Sequence, residues 1–249
     1  MTTSLLSTRS LTKRYGGLLV TDNVTIDIQP GELHAIIGPN GAGKTTLINQ
    51  LSGELSPDMG QVYFQGQDVT PLGIESRAHL GLLRSYQITS IFESFTVREN
   101  VVLSAAGAKR NAFSFLKPML EHRDMTHVAD RVIEDIGLVA SQNMLAGELA
   151  YGERRQLELA MAMAAEPRFL LLDEPMAGMS SQESAVVVTL LKRLKGKYGI
   201  LLIEHDMDAV FALADRISVL VYGRIMFCGT PDEIRNHPEV KAIYLGEEE

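Results

Sequence analysis

The chain has 249 residues, enough for one large or two small domains with a core of their own. Hydrophobic residues at 45% and charged ones at 22% are the balance of an ordinary folded protein, which excludes disordered, collagenous and coiled-coil classes. A total of 23 Lys and Arg against 31 Asp and Glu leaves a net charge of −8, which argues against nucleic acid as main partner, and a single cysteine, Cys228, excludes an internal disulfide or a cysteine-built zinc cluster.

The opening Met1-Thr2-Thr3-Ser4 lacks the basic, apolar and small-residue pattern of an export signal. The longest apolar runs, Phe169-Leu170-Leu171-Leu172 and 200–203, are strand-sized, far from the ~20 residues of a membrane span. With the lone cysteine, this predicts a cytosolic chain.

In chain order, Val24, Ile26 and Ile28 alternate with Thr25, Asp27 and Gln29 at strand period, and Pro30-Gly31 ends the run. A buried strand is expected at 33–37, then a glycine-rich loop, an apolar-periodic helix stopping at Gly53, and a short strand around 62–64. From about 92 to 146 the pattern turns helical (97–106, 128–136) with no buried strand, which reads as an inserted helical lobe. Strand character resumes at 169–172. Ser180-Ser181-Gln182-Glu183 is a capping box opening a helix with Val186, Val187, Leu190, Leu191 and Leu194 on one face. A strand at 199–203, a helix through Leu213, and a hairpin-like pair (217–221 and 224–227, turning at Gly223) follow. Thr230-Pro231-Asp232-Glu233 is a second capping box, with proline at the first helical position. Buried strands separated by helices argue an α/β fold with a largely parallel sheet.

Between the strand at 33–37 and the next helix stands Gly38-Pro39-Asn40-Gly41-Ala42-Gly43-Lys44-Thr45, matching G-x-x-x-x-G-K-[ST] in the context that pattern demands. Glycines let the backbone turn its N–H groups toward phosphate oxygens, and the new helix aims unsatisfied amides and its positive dipole end at the same anion. Lys44 supplies a mobile charge for the terminal phosphates, and the Thr45 hydroxyl can ligate Mg²⁺. From average composition the bare pattern arises by chance in about one chain of this length in a hundred.

Asp173 and Glu174 follow four apolar residues, hence sit at a strand's carboxyl end, where open α/β sheets bind ligands. An acidic turn is the plain alternative. With the phosphate loop present, Asp173 is the natural Mg²⁺ partner and Glu174 the group that polarises a water toward a γ-phosphate. His205 ends the next strand, where a histidine is either a satisfied cap or a site residue. Gln87, after Arg84-Ser85-Tyr86, and Tyr15, before Gly16-Gly17, carry weaker signals, because glutamines usually solvate and aromatics usually pack.

The segment Gly38 to Lys44 with Thr45 and Thr46, then Gln87, Leu149-Ala150-Tyr151-Gly152-Glu153, Leu170 to Pro175 and His205 occur in the order and approximate spacing of an ATP-binding cassette (ABC) subunit. The resemblance covers nearly the whole chain. Leu149-Ala150-Tyr151-Gly152, Leu202-Ile203-Glu204-His205-Asp206-Met207 and the closing Gly229-Thr230-Pro231 to Tyr244-Leu245-Gly246 look most like the ATPase subunits of branched-chain amino-acid importers.

The resemblance implies a P-loop NTPase (RecA-like) fold: a mostly parallel core sheet, an N-terminal antiparallel β part and an inserted α-helical subdomain. It divides one ABC ATPase domain, 1–249, into a nucleotide-binding core (1–88 and 160–249) and a helical subdomain (89–159) with the signature stretch. It implies that Tyr15 stacks on adenine and that Gly38, Pro39, Asn40, Gly41, Ala42, Gly43, Lys44, Thr45 and Thr46 hold the triphosphate of ATP. Thr45, Asp173 and Gln87 address Mg²⁺ or its waters, Glu174 is the general base, and His205 senses the γ-phosphate. Ala150, Tyr151, Gly152 and Glu153, opening a helix that begins near Arg154, complete the site of a second copy, since two subunits of the family sandwich two ATPs head to tail. Implied partners are that second ATPase subunit, identical or paralogous, membrane permease subunits docking near Gln87, and indirectly a solute-binding protein outside the membrane. The implied location is the cytoplasmic face of the membrane, without nucleic acid.

Two departures from the family spelling stand out. Against Leu-Ser-Gly-Gly-Gln the chain has Ala150, Tyr151 and Glu153, so a hydroxyl contact to the γ-phosphate is missing while Gly152 and the helix amides remain. Ser180 stands where Asp or Asn is usual in the loop crossing the dimer interface. The expected function is ATP hydrolysis driving import of branched-chain amino acids or related small polar solutes. Urea import, lipopolysaccharide export and a non-transport P-loop regulator are the alternatives. A kinase is disfavoured by the adjacent Asp173-Glu174, which suits water as acceptor.

Overall fold

The computed structural model describes residues 4–85, 91–108 and 123–245. Strands β1 (Leu6–Tyr15) and β2 (Leu18–Val24) form a hairpin, and β3 (Asp27–Ile28) leads into β4 (Leu33–Ile37). Helix α1 (Lys44–Ser52) stops at Gly53, whose φ of 87° closes the last turn in a conformation glycine adopts without strain. Then come β5 (Met59–Phe64), β6 (Gln67–Asp68), α2 (Ile74–His79) and β7 (Leu82–Arg84). Three longer helices follow: α3 (Val97–Ala108), α4 (Arg123–Ile136) and α5 (Tyr151–Ala164). Strands and helices alternate again through β8 (Phe169–Asp173), α6 (Ser181–Leu194), β9 (Gly199–Ile203) and α7 (Met207–Leu213). The hairpin β10 (Arg216–Val221) and β11 (Arg224–Gly229) precedes α8 (Pro231–Asn236) and α9 (Pro238–Leu245).

The strands make two sheets. The larger has the order β11-β10-β4-β9-β8-β7, parallel throughout except for the β10–β11 edge pair. The smaller is antiparallel, order β2-β1-β5-β6, with β3 also pairing β1. Because side chains alternate across a strand, the larger sheet feeds two cores. Ala35, Leu170, Leu172, Ile200 and Leu202 join α3, α4, α5, α6 and α7 on one face. Ile36, Phe169, Leu171, Leu201 and Ile203 join α1 and the antiparallel sheet on the other. Each Leu, Ile or Phe among them, fully buried, contributes about 1.5–3 kcal/mol relative to exposure.

The strand expected over 24–28 is interrupted. Its burial does alternate, with Val24, Ile26 and Ile28 inside, but at 25–26 side-chain hydroxyls replace ladder bonds: Ser10 N donates to Thr25 Oγ1 (2.9 Å) and Ile26 N to Thr8 Oγ1 (3.0 Å). β1 itself carries a register shift around Ser10, whose φ is 51°. Its buried Leu6, Thr8 and Leu11 therefore slip out of strict alternation, which hides the strand from a period-two reading. The helical lobe has no strand among its described residues and packs its apolar faces into the same core as the sheet. α5 runs unbroken through the 159/160 boundary.

Arg77 anchors the helix that follows the glycine-rich loop. It is 1% exposed. Its Nη1 donates to the Gln50 and Leu51 carbonyls, both at 2.7 Å, its Nε to Leu72 O at 2.9 Å and its Nη2 to Thr70 O at 3.2 Å. It thus closes the carbonyl end of α1 with a positive charge, and burial lowers its pKa to about 10.

Candidate active site

β4, β9, β8 and β7 are consecutive parallel neighbours. The residues just past their carboxyl ends therefore line one edge of the sheet: the glycine-rich loop, Glu204-His205, Glu174-Pro175 and Ser85. Segments far apart in sequence meet there because strand order, not chain order, sets adjacency.

The loop is wedged between two strands of backbone. A β-carbon on Gly38 would lie 2.1 Å from Leu220 O, and one on Gly43 would lie 2.4 Å from Val20 O. Gly43, with φ 102°, directly precedes α1, which has no side-chain cap. The first-turn amides of a helix have no carbonyl of their own, so this uncapped end is open to an anion. Lys44 is 7% exposed, and its Nζ donates to Gly38 O (2.6 Å) and Pro39 O (3.0 Å), which keeps the ammonium inside the curve of the loop.

Asp173 and Glu174 take different positions, although adjacent. Together with Thr45 and Ser85 they line a cavity of about 270 Å³, to which Arg155 and Glu158 of α5 also contribute. Asp173 Oδ2 accepts from Arg84 Nη2 at 2.7 Å. Glu174 has φ 48°, a left-handed conformation costing about 1–2 kcal/mol outside glycine. Its N–H donates to Ile203 O (2.9 Å), tying the end of β8 to that of β9, and its Oε1 lies 2.7 Å from His205 Nε2. Both side chains remain partly exposed, at 41% and 47%.

Two site-edge residues had no role assigned from sequence. Arg84 ends β7 as a charge in an apolar strand, and Glu204 follows the apolar run of β9; each is a buried charge that a purely structural strand end avoids. Glu204 is 4% exposed and accepts from Met176 N (2.8 Å) and His205 N (3.0 Å), bracing the loop after β8 against the one after β9. Its pKa is raised, chiefly by burial, with the neighbouring Glu174 charge adding to it.

The signature stretch does not itself line that cavity but touches its wall at Ala177 and Arg155. α5 begins at Tyr151, three residues before the expected Arg154, because Ala150 is extended and Glu153 Oε2 accepts from Ala150 N (3.2 Å). Two of the departures and the retained glycine have partners: Tyr151 Oη donates to Ala177 O (3.0 Å), Gly152 N donates to Glu183 Oε1 (3.2 Å), and Glu153 Oε1 accepts from Ser141 Oγ (2.6 Å). The stretch is thereby fastened to the loop after β8 and to the start of α6. Ser180 is the N-cap of α6, its hydroxyl and N–H both donating to Glu183 Oε2 (2.7 and 2.9 Å). Tyr15 ends β1 at 53% exposure, on the hairpin whose Val20 carbonyl abuts Gly43. Gln87 lies outside the described residues.

Comparison with known proteins bears on this arrangement. The family model "ABC transporter" matches residues 21–177, and a second, "Branched-chain amino acid ATP-binding cassette transporter", matches 224–249. The chain belongs to the ABC transporter family. This ABC cassette is 39% identical over 254 aligned residues to the high-affinity branched-chain amino acid transport ATP-binding protein LivG of Escherichia coli strain K12, covering 99% of this chain and 100% of that one. To the corresponding protein BraF of Pseudomonas aeruginosa it is 35% identical at the same coverage. Among solved structures it is similar to the ADP conformation of MJ1267, an ATP-binding cassette of an ABC transporter, with TM-score 0.87, 30% identity and coverage of 98% and 100%. The expected α/β P-loop cassette fold and ATPase class therefore hold. Among the described residues no helix is long and apolar enough to cross a membrane.

The site also fits a magnesium nucleotide. Among the described residues no three His, Cys, Asp or Glu side chains form a metal cage. Magnesium does not need one: it is held by one or two carboxylates or hydroxyls, waters and the phosphates themselves. Thr45 and Asp173 line one cavity and offer a hydroxyl and a carboxylate of that kind.

Proposed function

We propose that this cassette is the ATP-hydrolysing subunit of a branched-chain amino-acid importer, acting as one of two ATPase subunits beneath separate membrane permeases. The whole-length similarity to LivG and the match of the closing segment to the branched-chain model support the cargo. A periplasmic or extracellular binding protein would deliver the solute, and the cassette would sit peripherally at the cytoplasmic membrane face. Residues 1–88 and 160–249 act as the nucleotide-binding core and 89–159 as the helical subdomain.

In this reading Tyr15 stacks on adenine, and Gly38 through Lys44, with Thr45 and Thr46, cradle the triphosphate. Lys44 exchanges its loop carbonyls for phosphate oxygens. Thr45, Asp173 and Gln87 would hold Mg²⁺ or its waters, and the ion, when bound, neutralises charge developing on the phosphates. Glu174 takes the proton of the water that attacks the γ-phosphorus as the bond to ADP breaks, and His205 holds the departing phosphoryl oxygens. Ala150, Tyr151, Gly152 and Glu153 face the triphosphate bound by the second subunit. With Ala150 in place of serine, backbone amides carry that contact.

The observation that carries the reading is the pairing of Glu174 with His205 at 2.7 Å, at neighbouring strand ends beside the phosphate loop. Glu174→Gln tests it. The variant should bind ATP within about threefold of the parent while turnover falls about 10²–10⁴-fold, the usual worth of a general base. Hydrolysis at the parental rate would remove Glu174 from that role. ATP-trapped dimers should appear by light scattering, and a variant that stays monomeric with ATP bound would refute the two-subunit site.

A further inference from the structure

Arg84 is the least explained charge at the site. Its side chain is 4% exposed, and among the described residues its guanidinium reaches Asn49, Glu54 and Asp173 on three different segments. Nη1 donates to Asn49 Oδ1 of α1 (2.6 Å) and to Glu54 Oε2 beyond the end of α1 (2.5 Å), while Nη2 donates to Asp173 Oδ2 at the end of β8 (2.7 Å). Ser85, the next residue, lines the same cavity as Thr45, Asp173 and Glu174.

We infer that Arg84 is a positioning residue for the metal-binding carboxylate, fixing Asp173 relative to the helix that carries Thr45. This rests on the proposed role of Asp173 toward Mg²⁺. Three features of the geometry support it. The guanidinium engages Oδ2 alone, so Oδ1 is not spent on Arg84. The same rigid, planar fork is anchored on α1, so the two metal-facing groups, Thr45 at the start of α1 and Asp173 on β8, are referred to one frame. Finally, Asp173 and Glu174 crowd two carboxylates at one cavity, and a buried cation beside the first offsets their repulsion. Magnesium tolerates little departure from octahedral geometry, so an Asp173 free to rotate binds it less well.

The test measures ATP binding by calorimetry in the Glu174→Gln background, where nothing is turned over, with Mg²⁺ varied at fixed ATP and again with chelator present. Arg84→Lys keeps the charge but cannot span the three partners. It should raise the half-saturating Mg²⁺ concentration about tenfold or more, the usual cost of losing a group that orients a metal ligand, and leave metal-free ATP affinity within about twofold. A metal curve equal to the parent's would overturn the inference and leave Arg84 as a brace between α1 and β8. If Arg84→Lys does not fold, Glu54→Gln decides. It loosens one anchor at a position 30% exposed and should shift the metal curve about two- to threefold, the worth of one weakened hydrogen bond; no shift overturns the inference. A parent whose ATP binding ignores Mg²⁺ would instead sink the metal role of Asp173, and the inference with it.

Discussion

Replacing Gly38, at φ 159°, by alanine adds a steric clash to a conformational cost in the phosphate loop. The added methyl would meet Leu220 O at 2.1 Å and Leu220 C at 3.1 Å, more than 1 Å inside ordinary van der Waals contact at 3.4 Å. Leu220 is 0% exposed, pairs with Ile225 of β11 and directly follows the residues of β10 that pair with β4, so its carbonyl has little room to move. The loop must retreat instead. Overpacking of this kind costs about 1–3 kcal/mol or more, and at about 2–4 °C per kcal/mol for a chain this size the melting point should fall by several degrees. A displacement of about 1 Å in groups that position a phosphate also costs about 100-fold in productive binding or rate. Gly41 is the control. No atom lies within 4 Å of a β-carbon there, but φ is 77°. Gly41→Ala should therefore lose only the left-handed strain, about 1–2 kcal/mol. Urea titration and ATP calorimetry on both variants check this. Gly38→Ala within about 0.5 kcal/mol of the parent and with unchanged ATP affinity would show that β10 does not wall the loop.

Arg77→Met removes four hydrogen bonds to carbonyls, worth about 1.5 kcal/mol each, and releases the cost of burying the charge, about 3 kcal/mol for a pKa lowered to about 10. The net loss should be about 3 kcal/mol in urea, and a loss under about 1 kcal/mol would mean α1 ends as well without it. Tyr15→Ala should weaken ATP binding by about 1–3 kcal/mol, the worth of stacking one base on an aromatic ring, with fold stability unchanged; equal affinity would place adenine elsewhere. Glu204 titrates with a raised pKa in the folded chain. The folded state then binds more protons than the unfolded one between the ordinary value of 4.5 and the raised value. Its contribution to stability is thus fully present below 4.5 and lost as pH rises through the folded value. The stability of the parent relative to Glu204→Gln should accordingly be greater at acidic than at neutral pH, and a pH-independent difference in urea unfolding would refute this.

Sequence alone determined the elements whose signals are local. The phosphate loop and its strand–helix frame, the apolar strands at 33–37, 169–172 and 199–203, and the capping boxes at Ser180 and Thr230 all stand where their own residues demand. Each depends on neighbours within a few positions: a β-carbon that must be absent, a hydroxyl that must reach an amide, an apolar run that must be buried. β1 escaped that reading because a bulge at Ser10 broke its alternation, and α5 began early because a carboxylate at Glu153 could satisfy an amide without a capping hydroxyl. Tertiary structure alone decided what meets across the sheet edge. Strand order brings Glu174 to His205, Arg84 to Asp173 and Asn49, and Glu204 to Met176. The partners of Tyr151 and Gly152 were fixed only when α5 packed beside the loop after β8. These contacts join residues 26 to 89 positions apart. No local propensity encodes such pairings, because they are set by which strands lie side by side and how far each side chain reaches.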